Sequence, residues 1–391
     1  MTKIDICATA AFLLLFALPA DCCADTWNLF YNGSYSGIQS MASYGGKLFV
    51  GNGFYENESD IEAFNGNTWS LSYNGSKRSV SSMQEYEGKL YAGLSGYTGD
   101  GDIIVYDGSS WQLSFDGPEN EISAMAVYEG KLYAGQSSSS GDIYAFDGST
   151  WQKTFNSTDE LSSTQSLAVY NGKLYAGHLR SGQWGRIRTY NGTNWSDVYS
   201  GYAGAGTYSL ASYNGRLYAG FGISSRLGQG VILEYDGSSW SYSYNSSRYD
   251  IITSMIEYNG LLYAGTKGGY DGYGDILVFD GNAWTQSYTN GYNALNAFAI
   301  YDGRLYAGRG DQAGEGYGDI IVLGTTTPIT TSTTSTTQGI CTMPGNASPC
   351  EMVSLGEVIS AINDWTSGWM NLQEVIDLIN SWADPEAYPP I

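Results

Sequence analysis

Apolar and polar positions along the chain alternate in short runs, and the runs come in groups of four. Between Ile122 and Phe155 they read ISAMAVY, KLYAG, DIYAF and WQKTF. Alternation inside each run is partial, as expected for strands whose two faces both pack on neighbours. Glu129-Gly130 separates the first two runs and Asp147-Gly148 the last two. Such pairs predict two-residue hairpin turns, with Glu a weaker choice than Asn or Asp before the glycine. Together the runs predict a four-stranded antiparallel meander.

The group recurs. Its second run returns as GKLFVG (Gly46–Gly51), GKLYAG (Gly88–Gly93, Gly130–Gly135, Gly172–Gly177), GRLYAG (Gly215–Gly220), GLLYAG (Gly260–Gly265) and GRLYAG (Gly303–Gly308). Successive final glycines lie 42, 42, 42, 43, 45 and 43 residues apart. Tryptophans keep step at Trp27, Trp69, Trp111, Trp151, Trp195, Trp240 and Trp284, most after an Asx-Gly turn. A fixed period of about 40–45 residues with four strands in each is the pattern of a β-propeller blade. The expected fold is all-β, a seven-bladed propeller. Its ends are complementary: WNLFYNG at Trp27 lacks a third strand before it, and DIIVL (Asp319–Leu323) lacks a tryptophan strand after it. The N-terminal strand is therefore expected to close the last blade and leave no free edge.

Beyond the repeats the period changes. TTTPITTSTTSTTQ (Thr325–Gln338) is a low-complexity Thr/Ser linker. In Ser354–Trp365 and Asn371–Trp382 apolar residues follow helical spacing: Leu355, Val358, Ile359 and Ile362, then Leu372, Val375, Ile376 and Ile379. Two amphipathic helices in a small C-terminal α-helical hairpin are expected. The expected divisions are a signal peptide at 1–24, a propeller at 25–323, a linker at 324–340 and the hairpin at 341–391.

Composition narrows the functional classes. The formal net charge is -22, and only 14% of residues are charged. That argues against nucleic acid, which needs basic surface. Lys3 followed by the apolar run Ala8–Ala20 reads as a signal peptide, too short for a membrane span. A secreted or surface-associated protein follows, with no transmembrane segment after cleavage; Cys22 and Cys23 leave a lipid anchor as the rival reading. In that setting Cys341 and Cys350 are expected to form a local disulfide. Sequons begin at Asn32, Asn57, Asn74, Asn156, Asn191, Asn194, Asn245 and Asn346.

The phrases YxGKLYAG and GDIxxYDGSSW resemble the kelch repeat of the kelch and galactose-oxidase-like propellers, over about residues 26–323. One glycine rather than a pair follows the second strand here. Copper-radical chemistry of that branch needs histidine ligands and a cysteine-linked tyrosine. This chain has one histidine, His178, and no cysteine among the repeats, which excludes that activity. The tail resembles a dockerin, most closely the dockerin-like tails of archaeal exported proteins. Its calcium loops are replaced by NASPCEMV and TSGWM. The resemblance implies a scaffold or envelope partner for the tail.

In a meander the tight turns share one end of the blade, and the second-to-third and inter-blade loops share the other. Those loops vary, which makes their face the expected binding face. The fourth repeat carries His178, Arg180, Trp184, Arg186 and Arg188 in an otherwise acidic chain. An arginine fork beside an aromatic plane suits an anionic glycan or an acidic protein loop; pairing of those arginines with aspartates is the structural alternative. Tyr97, Tyr270, Tyr273 and Tyr317 suit stacking on sugar rings or adaptable protein contacts. No cofactor is expected, though the oxygen-rich loops with Asp100, Asp102, Asp271, Asp275, Asp311, Glu315 and Asp319 have the chemistry for calcium. The alternative for those that open third strands, with Asp60 and Asp142, is capping of their own loops. The leading reading is a recognition or adhesion module for a glycan or extracellular protein. The alternatives are a carbohydrate-active enzyme (a glycosidase or lyase) and a structural envelope protein.

Overall fold

Every copy of the GKLYAG phrase begins at a hairpin turn whose residues both have positive φ. In the second repeat these are Glu87 (48°) and Gly88 (69°). That conformation sets a two-residue turn whose twist matches the flanking strands. In the computed structural model residues 26–324 are described, apart from 34–36, 54–58, 97–98, 100, 138–139, 158–160, 181–184, 202–205, 223–229, 247–249, 269–273, 291–293 and 311–317. The expected signal peptide, linker and helical tail, with Cys341 and Cys350, lie outside the described residues.

The third repeat shows the pattern. Glu121–Tyr128 pairs with Lys131–Ser137, that strand with Ile143–Phe146, and that with Trp151–Phe155, all antiparallel. The other repeats form the same meander. In the last, Ala294–Tyr301, Arg304–Gly310 and Ile320–Leu323 are completed by the N-terminal Trp27–Tyr31, with Trp27 opposite Leu323. The closing strand expected from the two incomplete ends is thus present. First strands run beside first strands: Ile38–Tyr44 neighbours Ser79–Tyr86 on one side and Ala294–Tyr301 on the other. The sheets therefore follow one another around a closed ring.

Hydrophobic burial lies between sheets, which explains strands that are apolar on both faces. Phe49 and Ile61 of the first repeat share a core with Val80, Leu90, Leu94 and Ile104 of the second. The final glycine of each GKLYAG phrase sits where the next sheet approaches most closely. A Cβ on Gly93 would lie 2.7 Å from Ile122 Cβ and 2.5 Å from Ser82 Oγ. The repeated tryptophans also bind across the gap. Trp111 Nε1 donates to Ser72 Oγ at 3.0 Å, Trp284 Nε1 to Ser243 Oγ at 2.9 Å, and Trp27 Nε1 to Ser287 Oγ at 3.0 Å. Each acceptor sits at a register shift on the preceding fourth strand. The bulge turns its side chain toward the next sheet.

Candidate functional site

First strands share an irregularity that their sequences disguise. In each repeat the register with the second strand slips at an equivalent residue, Gln39, Ser81, Ser123, Gln165, Tyr208, Thr253 and Asn296, and the fourth repeat slips a second time between Leu161 and Ser163. A bulge re-aims its side chain and leaves a main-chain group unpaired. Here the seven bulged residues converge on one cavity of about 320 Å³. They are 42, 42, 42, 43, 45 and 43 residues apart, the spacing of the repeat itself. The cavity also takes in Gly53, just past the second strand of the first repeat, and Ser95 at the end of that of the second. It therefore opens on the side of the variable loops, opposite the tight turns.

All seven bulged residues can hydrogen-bond and none is charged. The residues that follow the bulges, and some of the bulged residues themselves, hold the ring together. Ser40 Oγ donates to Val80 O at 2.7 Å, Ser82 Oγ to Ile122 O at 2.8 Å and Ser209 Oγ to Ile252 O at 2.9 Å. Each acceptor is the carbonyl just before the next bulge. In the third and seventh repeats alanine replaces that serine, at Ala124 and Ala297. There the bulged residue takes over: Ser123 Oγ donates to Thr164 O at 2.5 Å, and Asn296 Nδ2 to Ile38 O at 3.2 Å. Thr253 Oγ1 likewise donates to Leu295 O. Gln165 Nε2 donates to Ser137 Oγ at 3.1 Å and Ser81 Oγ lies 3.2 Å from Ser79 Oγ, which leaves Gln39 and Tyr208 as the more available members. Burial pushes the Tyr208 phenol up, so it stays protonated and able to donate.

Of the expected cationic cluster of the fourth repeat, His178 and Arg188 turn inward. His178 is fully buried; its Nδ1 lies 3.1 Å from Thr164 Oγ1 and its ring 5.6 Å from that of Phe155. Burial first, then the Arg188 charge, pushes its pKa down to about 3, so the imidazole is neutral. Arg188 is buried as well. Its Nε donates to Asp197 Oδ1 at 2.7 Å, and its guanidinium lies 4.6 Å from the Phe155 ring centre. Arg186 Nη1 stands 3.8 Å from Asp197 Oδ2. One aspartate on the outermost strand thus draws in both arginines. This corrects the expectation that His178 and Arg188 face a ligand: the gap beside Phe155 encloses both side chains. The Arg180 side chain and Trp184 lie outside the described residues, as do Tyr97, Tyr270, Tyr273 and Tyr317.

Four of the acidic residues that open third strands accept backbone N–H bonds. Asp60 Oδ1 accepts from Gly75 N at 3.0 Å, Asp102 Oδ1 from Gly117 N at 3.3 Å and Asp142 Oδ1 from Ser157 N at 2.7 Å. Asp319 accepts from the Gly33 backbone across the closing strand and pairs with Arg309. Burial pushes the Asp319 carboxyl up, against the pull of Arg309. Asp275 is buried, and its N–H donates to Thr266 Oγ1 at 2.9 Å. Asp102, Asp275 and Asp319 stand in different repeats. Among the described residues no cluster of three metal-ligating side chains forms. Asp100, Asp271, Asp311 and Glu315 lie outside them. The sequon residues Asn32, Asn74, Asn156, Asn191, Asn194 and Asn245 are exposed, whereas Asn57 and Asn346 lie outside the described residues.

Sequence reasoning did not find the bulged ring. The signal was there: one position that differs from repeat to repeat inside a phrase whose neighbours hardly change.

No known protein-family pattern matches the chain, and no curated protein matches its sequence. Solved structures do match in fold. A chain from "Crystal Structure of Mitotic Checkpoint Complex" is 13% identical with a TM-score of 0.56, covering 82% of this chain and 98% of that one. A chain from "Crystal structure of RRP9 WD40 repeats" is 12% identical with a TM-score of 0.55, covering 76% and 96%. At these identities the likeness concerns fold, and the fold is an all-β propeller of repeated blades.

Proposed function

We propose that this chain is an exported seven-bladed, kelch-like propeller that works as a recognition module, binding a glycan or an extracellular protein at the channel mouth. The observation that carries this reading is the ring of seven bulged residues. Their backbone setting is repeated while their side chains differ, as a binding site built on a regular scaffold requires. The cavity opens on the face of the variable loops, and the loop sequences offer Tyr97, Tyr270, Tyr273, Tyr317, Arg180 and Trp184 as further ligand contacts. Calcium in the acidic loops with Asp100, Asp271, Asp311 and Glu315 belongs to the same proposal. Likeness to a chain solved within a checkpoint complex favours a protein-contacting role for the fold. In this proposal the N-terminal segment directs export and the exposed sequons carry glycans. The dockerin-like tail, with a Cys341–Cys350 disulfide, attaches the protein to a scaffold or envelope partner.

The test is a screen of the secreted protein against arrayed glycans and native surface extracts, followed by an assay for cleavage of each hit. Binding without turnover is the expected result. Cleavage would replace the recognition reading with that of a carbohydrate-active enzyme. Binding to neither, with ordered assembly of the protein on itself, would favour a structural envelope role.

A further inference from the structure

The cavity at the channel mouth is lopsided. Besides the bulged ring it is lined by Gly53, Arg78, Ser79, Ser95 and Glu121, all from the first three repeats. The reason lies in the ring. The second and third repeats place serine at the bulge, the smallest side chains there, and the extra lining lies on the strands beside them. It ends where the first and second sheets touch. Gly53 forms a bridge with Ser79, and a Cβ on Gly53 would lie 2.5 Å from Ser79 Cα. The result is a notch with hydroxyls on its wall: Ser79 and Ser81 have their Oγ atoms 3.2 Å apart. Gln39, from the neighbouring repeat, has a buried Nε2 with no hydrogen-bond partner among the described residues. Tyr208 stands across the cavity with its ring half-buried.

The chemistry of the notch selects its ligand. Paired hydroxyls and an amide donate and accept in equal measure, as vicinal sugar hydroxyls do. An aromatic wall supplies the apolar contact that a sugar ring face needs. Arg78 and Glu121 have opposite signs, so the lining carries no net charge. The chain as a whole is at -22, and its field opposes approach of anions. A cavity of about 320 Å³ holds the end of a ligand, not a folded loop. Resting on the recognition reading above, we propose that this notch holds the terminal, uncharged sugar of a glycan. Ser79, Ser81 and Gln39 hydrogen-bond its hydroxyls, and Tyr208 closes the far side. This differs from the anionic ligand expected from the fourth repeat, where Asp197 already occupies Arg186 and Arg188.

The repeats supply substitutions that the fold already accepts. Ser81→Gln puts in the second repeat the residue that the first and fourth carry at the same place. Tyr208→Ser puts in the fifth the residue of the second and third. The full chain is applied to an array of defined neutral and acidic oligosaccharides and of neutral and acidic peptides. The tightest hit is then titrated calorimetrically into wild type, both variants and Leu113→Ser on an outermost strand. The expected result is a neutral oligosaccharide bound through its terminal residue. Each cavity variant should weaken it by about tenfold or more at unchanged melting temperature, a loss of one good contact, and Leu113→Ser should leave it unchanged. Unchanged affinity in Ser81→Gln and Tyr208→Ser overturns the notch but leaves recognition elsewhere on the loop face standing. Selection of acidic glycans or of peptides overturns the sugar assignment alone. Binding of no array member by wild type overturns the recognition reading with it.

Discussion

The Tyr301 hydroxyl donates to the carbonyl of Gly46 at 3.3 Å, joining residues 255 positions apart. The same bond links every other neighbouring pair of repeats, from Tyr44 to Gly88 at 2.8 Å through Tyr258 to Gly303 at 2.8 Å. The last repeat thus grips the first as any repeat grips the next. Tyr301→Phe removes one neutral hydrogen bond and should cost about 1 kcal/mol. Removing residues 25–33 also takes away the closing strand. That truncation should bare the edge of Ile320–Leu323 and aggregate on heating well below the wild-type transition. Light scattering during a thermal scan checks this, and an unchanged transition would argue against closure by this strand.

Gly93→Ala tests the close approach between sheets. The added methyl would meet Ile122 and Ser82 below van der Waals separation. Both belong to strands packed on either side and cannot withdraw freely. The expected loss is about 1–3 kcal/mol in urea unfolding. A variant as stable as wild type would mean that the sheets part easily.

His178 makes stability depend on pH. Its ordinary pKa of 6.5 is pushed down to about 3 in the folded protein. Between these values the unfolded chain binds a proton that the folded one refuses. Its contribution is complete above pH 6.5 and falls as pH drops through that window, by about 1.4 kcal/mol per unit. His178→Gln carries the residue that the third repeat holds at this place, Gln136. It should flatten the slope of unfolding free energy between pH 6.5 and about pH 3, the span the two pKa values define. An equal slope in the variant would show that the imidazole is not kept neutral.

Acid should act at a second set of groups. Asp107 Oδ1 accepts from Ser109 Oγ at 2.7 Å, then from Ser110 N at 2.9 Å and Ser109 N at 2.8 Å, which holds its carboxyl down at about 2. Asp147, Asp236 and Asp280 are lowered by the same turn. A lowered carboxylate stabilises the fold above its ordinary pKa of 3.8 and ceases to do so as pH falls through its folded value. The first and fourth repeats use Asn65 and Asn191 at this position, which accept the same bonds without titrating. Replacing the four aspartates by asparagine should move the acid unfolding midpoint downward, as followed by circular dichroism. A midpoint that stays in place would assign acid sensitivity to other groups.

Much of the fold was legible because its signals are local. Asx-Gly and Glu-Gly pairs fix hairpin turns over two residues, and the regular spacing of Gly93 and its counterparts reports the repeat. The unmatched strands at Trp27 and Asp319 even foretold the seam, because a missing strand at one end and a spare one at the other have one economical solution. The carboxylates of Asp60, Asp102 and Asp142 do hold backbone N–H groups, but those of Gly75, Gly117 and Ser157 in the loop after the fourth strand, not those of their own loops, and that meeting depends on the folded sheet.

What tertiary structure decided is where side chains point once sheets stand against one another. Strand alternation assigns His178 and Arg188 to a face, but only the neighbouring sheet, with Phe155 and Asp197, makes that face an interior. A bulge adds a residue to one strand and moves its side chain out of the alternation, so Gln39 or Tyr208 looks like any other strand residue in the sequence. The sequence by itself determined the repeat, its turns and its closing strand, because each depends on residues adjacent in the chain. The channel ring depends on seven residues that meet only after the ring has closed, and no local preference carries that information.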